Sequence, residues 1–312
     1  MATISIGTNY GALLLGALCS SLLSGVLFMQ CFIYGRMYRR DPVGMKIFIG
    51  LIWLLDTLHN VSVWAGLWSW FVVDFGAPER IDSIPKGIPL SVSVTGVLTL
   101  LVHGFFAYRI YNLLSKYRLL VTIPIVVLAL LRVGFALTTA HLMLKDRSLA
   151  VFKDHHTWIF SLGLGLSSGV DILITITMMA ILHGSRSSSL SLDTVIRSLI
   201  LYTLENGALT TAATIVSMIC WLVMDNLIFL ALHFIIAKLY ANSVLAMLNC
   251  RRALRRQSGS EHTDGGNDLA LSPGGVVIFN KTKMHHHHPS HHKSHTAMEV
   301  NVERSVEFRV EA

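Results

Sequence analysis

Seven apolar runs, each about as long as a bilayer is thick, occupy most of this 312-residue chain. They lie at residues 10–34, 47–71, 88–108, 119–144, 158–183, 198–223 and 227–248. A helix rises 1.5 Å per residue, so about 20 mainly apolar residues cross roughly 30 Å of hydrocarbon. Lipid offers the backbone no hydrogen-bond partner, so runs of this length must satisfy their own N–H and C=O groups as helices. The expected fold is therefore an all-α membrane protein, a seven-transmembrane helix bundle. Composition agrees: 14% of residues are charged and 53% hydrophobic, against about 25% charged in soluble domains.

The net charge of +7 would suggest nucleic acid in a soluble protein. Here the positive-inside rule accounts for it, and no nucleic-acid partner is expected. Arg36, Arg39, Arg40, Lys46, Arg109, Lys116, Arg118, Arg186, Arg197, Arg251, Arg252, Arg255 and Arg256 fall on one side of the bundle. The other side holds Arg80, Lys86, Lys145, Arg147 and Lys153. Thirteen against five puts the N-terminus outside and the C-terminus in the cytosol, in a plasma membrane or endomembrane. Residues 1–9 form a short outer segment without a basic n-region, so the first run is read as a retained span. Residues 10–256 form the membrane domain, and 257–312 a disordered cytosolic tail. Cys19, Cys31 and Cys220 lie in spans and Cys250 at a boundary, which leaves no disulfide framework.

Charge inside a span is expensive unless it finds a partner. Asp56, Arg132, Asp171 and Lys238 lie near mid-depth of four different runs, with Glu205 and Asn206 in the sixth. His59 is one turn from Asp56 and shares its face. His103, His141, His233 and Asn242 add polar groups. The functional reading is a polar cavity that binds a ligand, relays protons or conducts a solute; the structural reading is interhelical glue. Lys238 also invites a retinal Schiff-base reading, but span three offers no carboxylate counter-ion, only His103; Asp56 or Asp171 could take that place geometrically. Gly and Ser pairs such as Ser20-Ser21, Ser24-Gly25 and Gly163 to Gly169 suit close helix approach.

The tail carries His285, His286, His287, His288, His291, His292 and His295, a tract that could hold Zn²⁺, Ni²⁺ or Cu²⁺ weakly but lacks structural-site spacing. Beyond it, apolar residues at even positions from Met298 to Val310 alternate as a strand does, broken at Arg304. Such a strand could dock on a cytosolic partner's sheet edge. Cys250 beside basic residues fits S-palmitoylation as well as an unmodified helix end. The sequons at Asn60 and Asn280 lie in a span and in the cytosol, so neither is expected to be glycosylated. His155-His156 reads as an interfacial feature of the second outer loop. No GxSxG, HExxH, P-loop or GxGxxG appears; neither an enzyme nor a cofactor is expected.

Several segments resemble a known family. They are Trp53-Leu54-Leu55-Asp56-Thr57-Leu58-His59, Phe105-Phe106-Ala107-Tyr108-Arg109-Ile110-Tyr111, Leu201-Tyr202-Thr203, and Lys238-Leu239-Tyr240-Ala241-Asn242-Ser243 running on to Asn249 and Arg251-Arg252. Together they are similar to fungal, chiefly mushroom-type, membrane proteins bearing domain of unknown function 6534, most densely over residues 165–256. The resemblance implies a seven-helix protein with its N-terminus outside. It implies no catalytic or binding residue; Glu205 departs from the smaller polar residue expected there.

Three functions compete. A receptor-like sensor fits the helix count and basic cytosolic loops, though not the rhodopsin-like motifs: there is no Asp-Arg-Tyr after span three and no Asn-Pro-x-x-Tyr in span seven. A small-solute or lipid transporter fits a three-plus-one-plus-three arrangement, though Pro124 alone interrupts a span centre. A scaffold acting through the tail is the third.

Overall fold

The computed structural model describes residues 6–77, 80, 82–114, 116–184, 190–224 and 226–260, with the backbone alone for 6, 8, 182–184, 190–203, 205, 206 and 251–260. Among them the chain is helical: α1 (Ile6–Met37), α2 (Val43–Trp68), α3 (Gly87–Leu113), α4 (Arg118–Asp146), α5 (Leu149–Gly184), α6 (Leu190–Val223) and α7 (Ile228–Ser260). A single π-turn, Ser69–Val73, extends α2. The helices pack in chain order, each on the next, and α7 returns to α1, closing a ring; α3 also crosses to α7.

Six of these helices hold a stretch long and apolar enough to cross a membrane, and α6 contributes the shorter apolar segment Gly207–Val223. The side chains are distributed as lipid demands. Leu22, Leu54, Leu120, Leu130, Ile176 and Leu209 point outward, while Asp56, His59, His103, Arg132, Asp171 and Lys238 are buried. A soluble protein does the reverse, since large contiguous apolar surfaces are rare on water-facing folds.

Helix burial is uneven. In the most apolar stretch of α7, 72% of residues are buried, and in that of α3 61%, against 17% for α4. Thus α7 and α3 form the inner wall and α4 lies at the periphery. Two apolar cores follow. One, around Leu98, Phe106, Tyr240, Val244 and Leu248, fills the half of the bundle at the ends of α1 and α3. The other, around Leu13, Trp70, Phe152, Phe160, Trp221 and Phe234, fills the half that contains the N-terminus of α1.

Close approach is set by glycines other than those the sequence pattern singles out. A Cβ on Gly16 would meet the Ala231 backbone at 2.7 Å, and one on Gly87 the Ser62 carbonyl at 2.3 Å. Those sites draw α1 onto α7 and the start of α3 onto α2. Gly25, Gly165 and Gly169 have nothing that close, and Gly163 meets only Phe135 at ordinary contact distance. Without a hydrophobic drive between helices in lipid, such backbone approach is a main source of association.

Several helix ends correct the sequence reading. The α5 helix begins at Leu149 rather than near 158, so His155 and His156 belong to a helix and not to a loop. His156 holds a non-helical φ of −126°, and its ring meets the Asp146 carboxylate at 3.5 Å, marking a kink. Charged residues Lys153 and Asp154 hid this turn from a hydropathy reading. At the other end of the chain, α7 runs to Ser260, four residues into the segment read as tail. Helix formation propagates readily once started, and the arginines after Cys250 are good helix formers.

At the end of the bundle holding the α1 N-terminus, the loop before α3 is tied to the α4–α5 turn. The Asp82 carboxylate accepts hydrogen bonds from Ser148 Oγ at 2.5 Å and the Ala150 amide at 2.8 Å. It caps α5 as an N-terminal carboxylate should. Trp70 Nε1 donates to the Ser83 carbonyl at 2.9 Å, and the Asn9 side chain accepts from the Leu227 amide at 2.8 Å.

Replacing Gly16 by Val should lower the thermal midpoint of the detergent-solubilised protein, by about 1–3 kcal/mol of stability for an overpacked contact. Gly25→Ala, with open space around it, serves as the control and should leave the midpoint in place. Equal behaviour of the two would remove Gly16 from the α1–α7 contact.

Candidate functional site

Among the described residues, Asp56 and Lys238 form one cluster in the spans, and His103, Arg132 and Asp171 belong to a second. In the first, Lys238 of α7 reaches across to α2, donating to Asp56 Oδ1 and to the Asp56 carbonyl, both at 2.9 Å. Lys238 is fully buried and Asp56 nearly so. The α2 face that presents Asp56 also carries Ile49, Ile52, His59, Ser62, Val63, Gly66 and Leu67, the three-and-four spacing of a helix stripe turned inward. Asp56 is thus the counter-charge of Lys238, a carboxylate supplied by α2 rather than by span three. His59 is buried on the same face, and neither of its ring nitrogens has a hydrogen-bond partner.

The second cluster centres on Asp171 of α5. Its Oδ1 lies 3.1 Å from His103 Nε2 of α3. Its Oδ2 accepts from Thr210 of α6 at 3.0 Å and from the Tyr240 hydroxyl of α7 at 2.5 Å. That hydroxyl also lies 2.9 Å from Ser167 Oγ, which in turn accepts from Arg132 Nε of α4 at 3.1 Å. The His103 and Tyr240 rings meet edge to face at 5.4 Å. Five helices therefore converge on one carboxylate, and Arg132 reaches it only through Ser167 and Tyr240. Next to this, Ser168 of α5 and Thr214 of α6 pair at 2.7 Å.

Most of the span residues singled out from sequence are brought inside. His233 is buried with both ring nitrogens unpartnered, beside Phe160 at 5.8 Å between ring centres. Asn242 acts between helices, donating to the Leu23 carbonyl of α1 at 3.0 Å and to its own helix at Lys238 O. His141 does not join them: it is exposed, because Ala136, Ala140 and Met143 take the inward face of α4. Glu205 and Asn206 are described in backbone only, as parts of α6. The His-rich tract and the alternating segment of the tail lie outside the described residues. Among the described residues no group of three His, Cys, Asp or Glu side chains comes together to hold a metal. Cys250 is half-buried against the first core, with its thiol 3.1 Å from the Met247 carbonyl. All four cysteines are free thiols.

Sequence reasoning missed Tyr240, Ser167, Thr210 and Thr214. The only signal was their helical phase: Ser167 lies one turn before Asp171, and Thr210 one turn before Thr214.

Where the α5 N-terminus meets the α6–α7 turn, a pocket of about 230 Å³ opens beside Asn9, Lys153, Asp154, Trp221, Asn226 and Phe229. Lys153 sits over the Trp221 ring at 5.7 Å and donates to the Met224 carbonyl at 2.8 Å. From this pocket a run of aromatic contacts leads inward: Trp221 on Phe229 at 4.6 Å, both on Phe160 at 5.0 and 5.7 Å, and Phe160 on His233. The pocket thus borders, through three rings, on the buried polar residues.

Six helices able to cross a bilayer, with buried charge and an apolar exterior, are the makeup of an integral, multi-pass membrane protein. The profile of a family of unknown function, DUF6534, matches residues 167–253. That stretch starts at Ser167 and runs through α6 to the basic end of the apolar part of α7, where the sequence motifs are densest. Neither a curated protein nor a solved structure is detectably similar to the chain.

Removing one partner of a buried ion pair strands the other charge, which costs about 3–5 kcal/mol. Lys238→Met alone should therefore destabilise strongly, while the double variant Asp56→Leu with Lys238→Met should recover most of the loss. A double-mutant cycle read by thermal unfolding checks this; additive losses would contradict the pairing. Tyr240→Phe removes two hydroxyl contacts and leaves Asp171 short of a donor, so a loss of about 1–3 kcal/mol is expected. Thr211→Val, on a hydroxyl that bonds only within its own helix at Gly207 O, is the matched control.

Proposed function

We propose that the chain is a seven-span, receptor-like sensor for a small amphipathic molecule. Its N-terminal end lies outside the cell or in a lumen, and its basic end lies in the cytosol. The seventh span of this reading is α6, 34 residues long and packed between α5 and α7. The excess of Lys and Arg on the connections at the opposite end supports the orientation.

One observation carries the sensor reading: the pocket beside Trp221 and Phe229 borders, through Phe160, on His233 and hence on the buried polar residues. A ligand that displaced Trp221 would disturb the packing of Phe160 and Phe229, so occupancy could bias helix arrangement at a distance. Sensing requires such differential contact between states. The pocket lining, aromatic on one side with Lys153, Asp154 and Asn226 on the other, suits an apolar body with one polar group. No catalytic role is assigned to any residue.

In reconstituted vesicles, a panel of small amphipathic molecules should include members that quench tryptophan fluorescence saturably. The saturable change should be lost in Trp221→Phe, and the ligand should not accumulate in the vesicle lumen. Accumulation would make the protein a transporter, and an unchanged response in Trp221→Phe would remove the pocket. For orientation, an impermeant maleimide should label Asp154→Cys in intact cells and Arg39→Cys only after permeabilisation. The opposite pattern would invert the topology.

A further inference from the structure

We propose that the ends of α1 and α2 nearest the N-terminus hold one acyl chain of a zwitterionic phospholipid. The site is a cavity of about 500 Å³ whose walls include Gly11, Leu14, Trp70, Phe71, Asp74 and Phe75. Asp74 is the one charged residue of its described lining. A concave, mainly apolar space of this size with one polar end is the usual form of a small-molecule site.

The cavity exists because α1 and α2 pack less extensively than any other pair of successive helices. Midway along, Ser21 Oγ ties them together, accepting from Trp64 Nε1 at 2.8 Å and donating to Asn60 Oδ1 at 3.2 Å. Two turns nearer the N-terminus the Tyr10 and Phe71 rings meet edge to face at 5.1 Å, on the cavity wall. The π-turn Ser69–Val73 sets Trp70 and Phe71, neighbours in sequence, both on that wall, and such turns are frequent at functional sites. Trp70 gives its Nε1 to the Ser83 carbonyl and has only its apolar ring left for the cavity. A Cβ on Gly11 would stand in open space, so the packing of α1 leaves this volume unfilled.

Its place in the membrane selects the occupant. The stretches able to cross a bilayer begin at Asn9 in α1 and end at Val73 after α2. Gly11, Leu14, Trp70 and Phe71 therefore lie on the hydrocarbon side of the boundary, and Asp74 and Phe75 just beyond it. Val73 and Phe75 are 68% and 86% exposed, which suits the headgroup layer, where aromatic rings gather. Hydrocarbon chains are the solvent around such an apolar wall. At the polar end, Asp74 accepts from Arg80 Nη1 at 3.0 Å, and Arg80 stays 65% exposed. One charge of each sign at the mouth matches the two charges of one headgroup, phosphate toward Arg80 and ammonium toward Asp74. An anionic headgroup would leave Asp74 unmatched. The groove between α4 and α5 beside Leu130, Phe135 and Trp158 has no charged residue in its described lining and is left to bulk lipid. The cavity shares no lining residue with the Trp221 pocket, so this binding does not rest on the sensor reading.

The test titrates the full-length protein in mild detergent with palmitoyl-oleoyl phosphatidylcholine and reads bound lipid by native mass spectrometry. One phospholipid per chain should be retained along a saturable curve. Gly11→Leu, which fills the cavity from its open side, should weaken that binding about tenfold, as two methylene groups kept out of an apolar site would. Gly25→Leu, on the same helix and likewise in open space, should bind as the unsubstituted protein does. Arg80→Gln should remove the preference for phosphatidylcholine over diacylglycerol with the same chains. Equal retention by the two glycine variants would overturn the site, and tighter retention of a sterol than of phosphatidylcholine would overturn the occupant. Should Gly11→Leu fail to fold, a structure of the unsubstituted protein in phosphatidylcholine nanodiscs decides: chain density against Trp70 and Phe71 supports the assignment, and its absence refutes it.

Discussion

Lys238 and Tyr240 lie two residues apart on α7, so their side chains leave the helix about 200° apart. Each is nevertheless buried and hydrogen-bonded to a carboxylate: Lys238 to Asp56 on α2, Tyr240 to Asp171 on α5. A helix that must satisfy such groups on opposite faces cannot turn either face to lipid. This requirement puts α7 on the inner wall of the ring, in contact with α1, α6, α3 and α2. The small side chains follow from the same need, since Gly16 lets α1 close directly over Ala231 of α7. Interhelical hydrogen bonds in membranes each contribute only about 0.6–2 kcal/mol. It is their convergence on one helix, rather than any single bond, that specifies the arrangement.

The two carboxylates are handled differently. Asp56 has a full cationic partner at hydrogen-bond distance, so that cluster is a closed pair. Asp171 is held by a phenol, a hydroxyl and an imidazole, and the nearest fixed cation of its cluster, Arg132, stands one hydroxyl further out. A closed pair is suited to fixing register. Asp171 is instead bonded by two hydroxyls and an imidazole, and Arg132 acts on it through space rather than by direct contact.

Much of this was legible in the sequence and some was not, for physical reasons. The helices follow directly from run length, because lipid permits little else. Their ends do not: hydropathy stops at Lys153, whereas the helix depends on backbone geometry and continues through it. Burial of Asp56, Arg132, Asp171 and Lys238 was readable, since charge in a span has nowhere else to go. The pairing was not, because it depends on which helix stands beside which. Tyr240, Ser167 and Thr210 were invisible for another reason. A hydroxyl on an apolar helix can bond its own backbone, as Ser62 does with the Leu58 carbonyl, and sequence does not distinguish that from a bond across helices. His141 shows the converse, a polar residue in a span that contributes nothing to the interior.

The matched stretch, residues 167–253, bears on how the polar interior is assembled. It contains Asp171, Thr210, Tyr240, His233 and Lys238, one wall of the polar interior. It does not contain their partners Asp56, His103 and Arg132, which come from α2, α3 and α4. Taken alone, α5 to α7 would leave Lys238 without Asp56, and Asp171 with Thr210 and Tyr240 but without His103 and Arg132; a charge left unneutralised in lipid costs several kcal/mol. That stretch therefore cannot be a self-sufficient unit within the membrane. The polar interior is completed by α2, α3 and α4, so the segment matched by the family model supplies only one side of it.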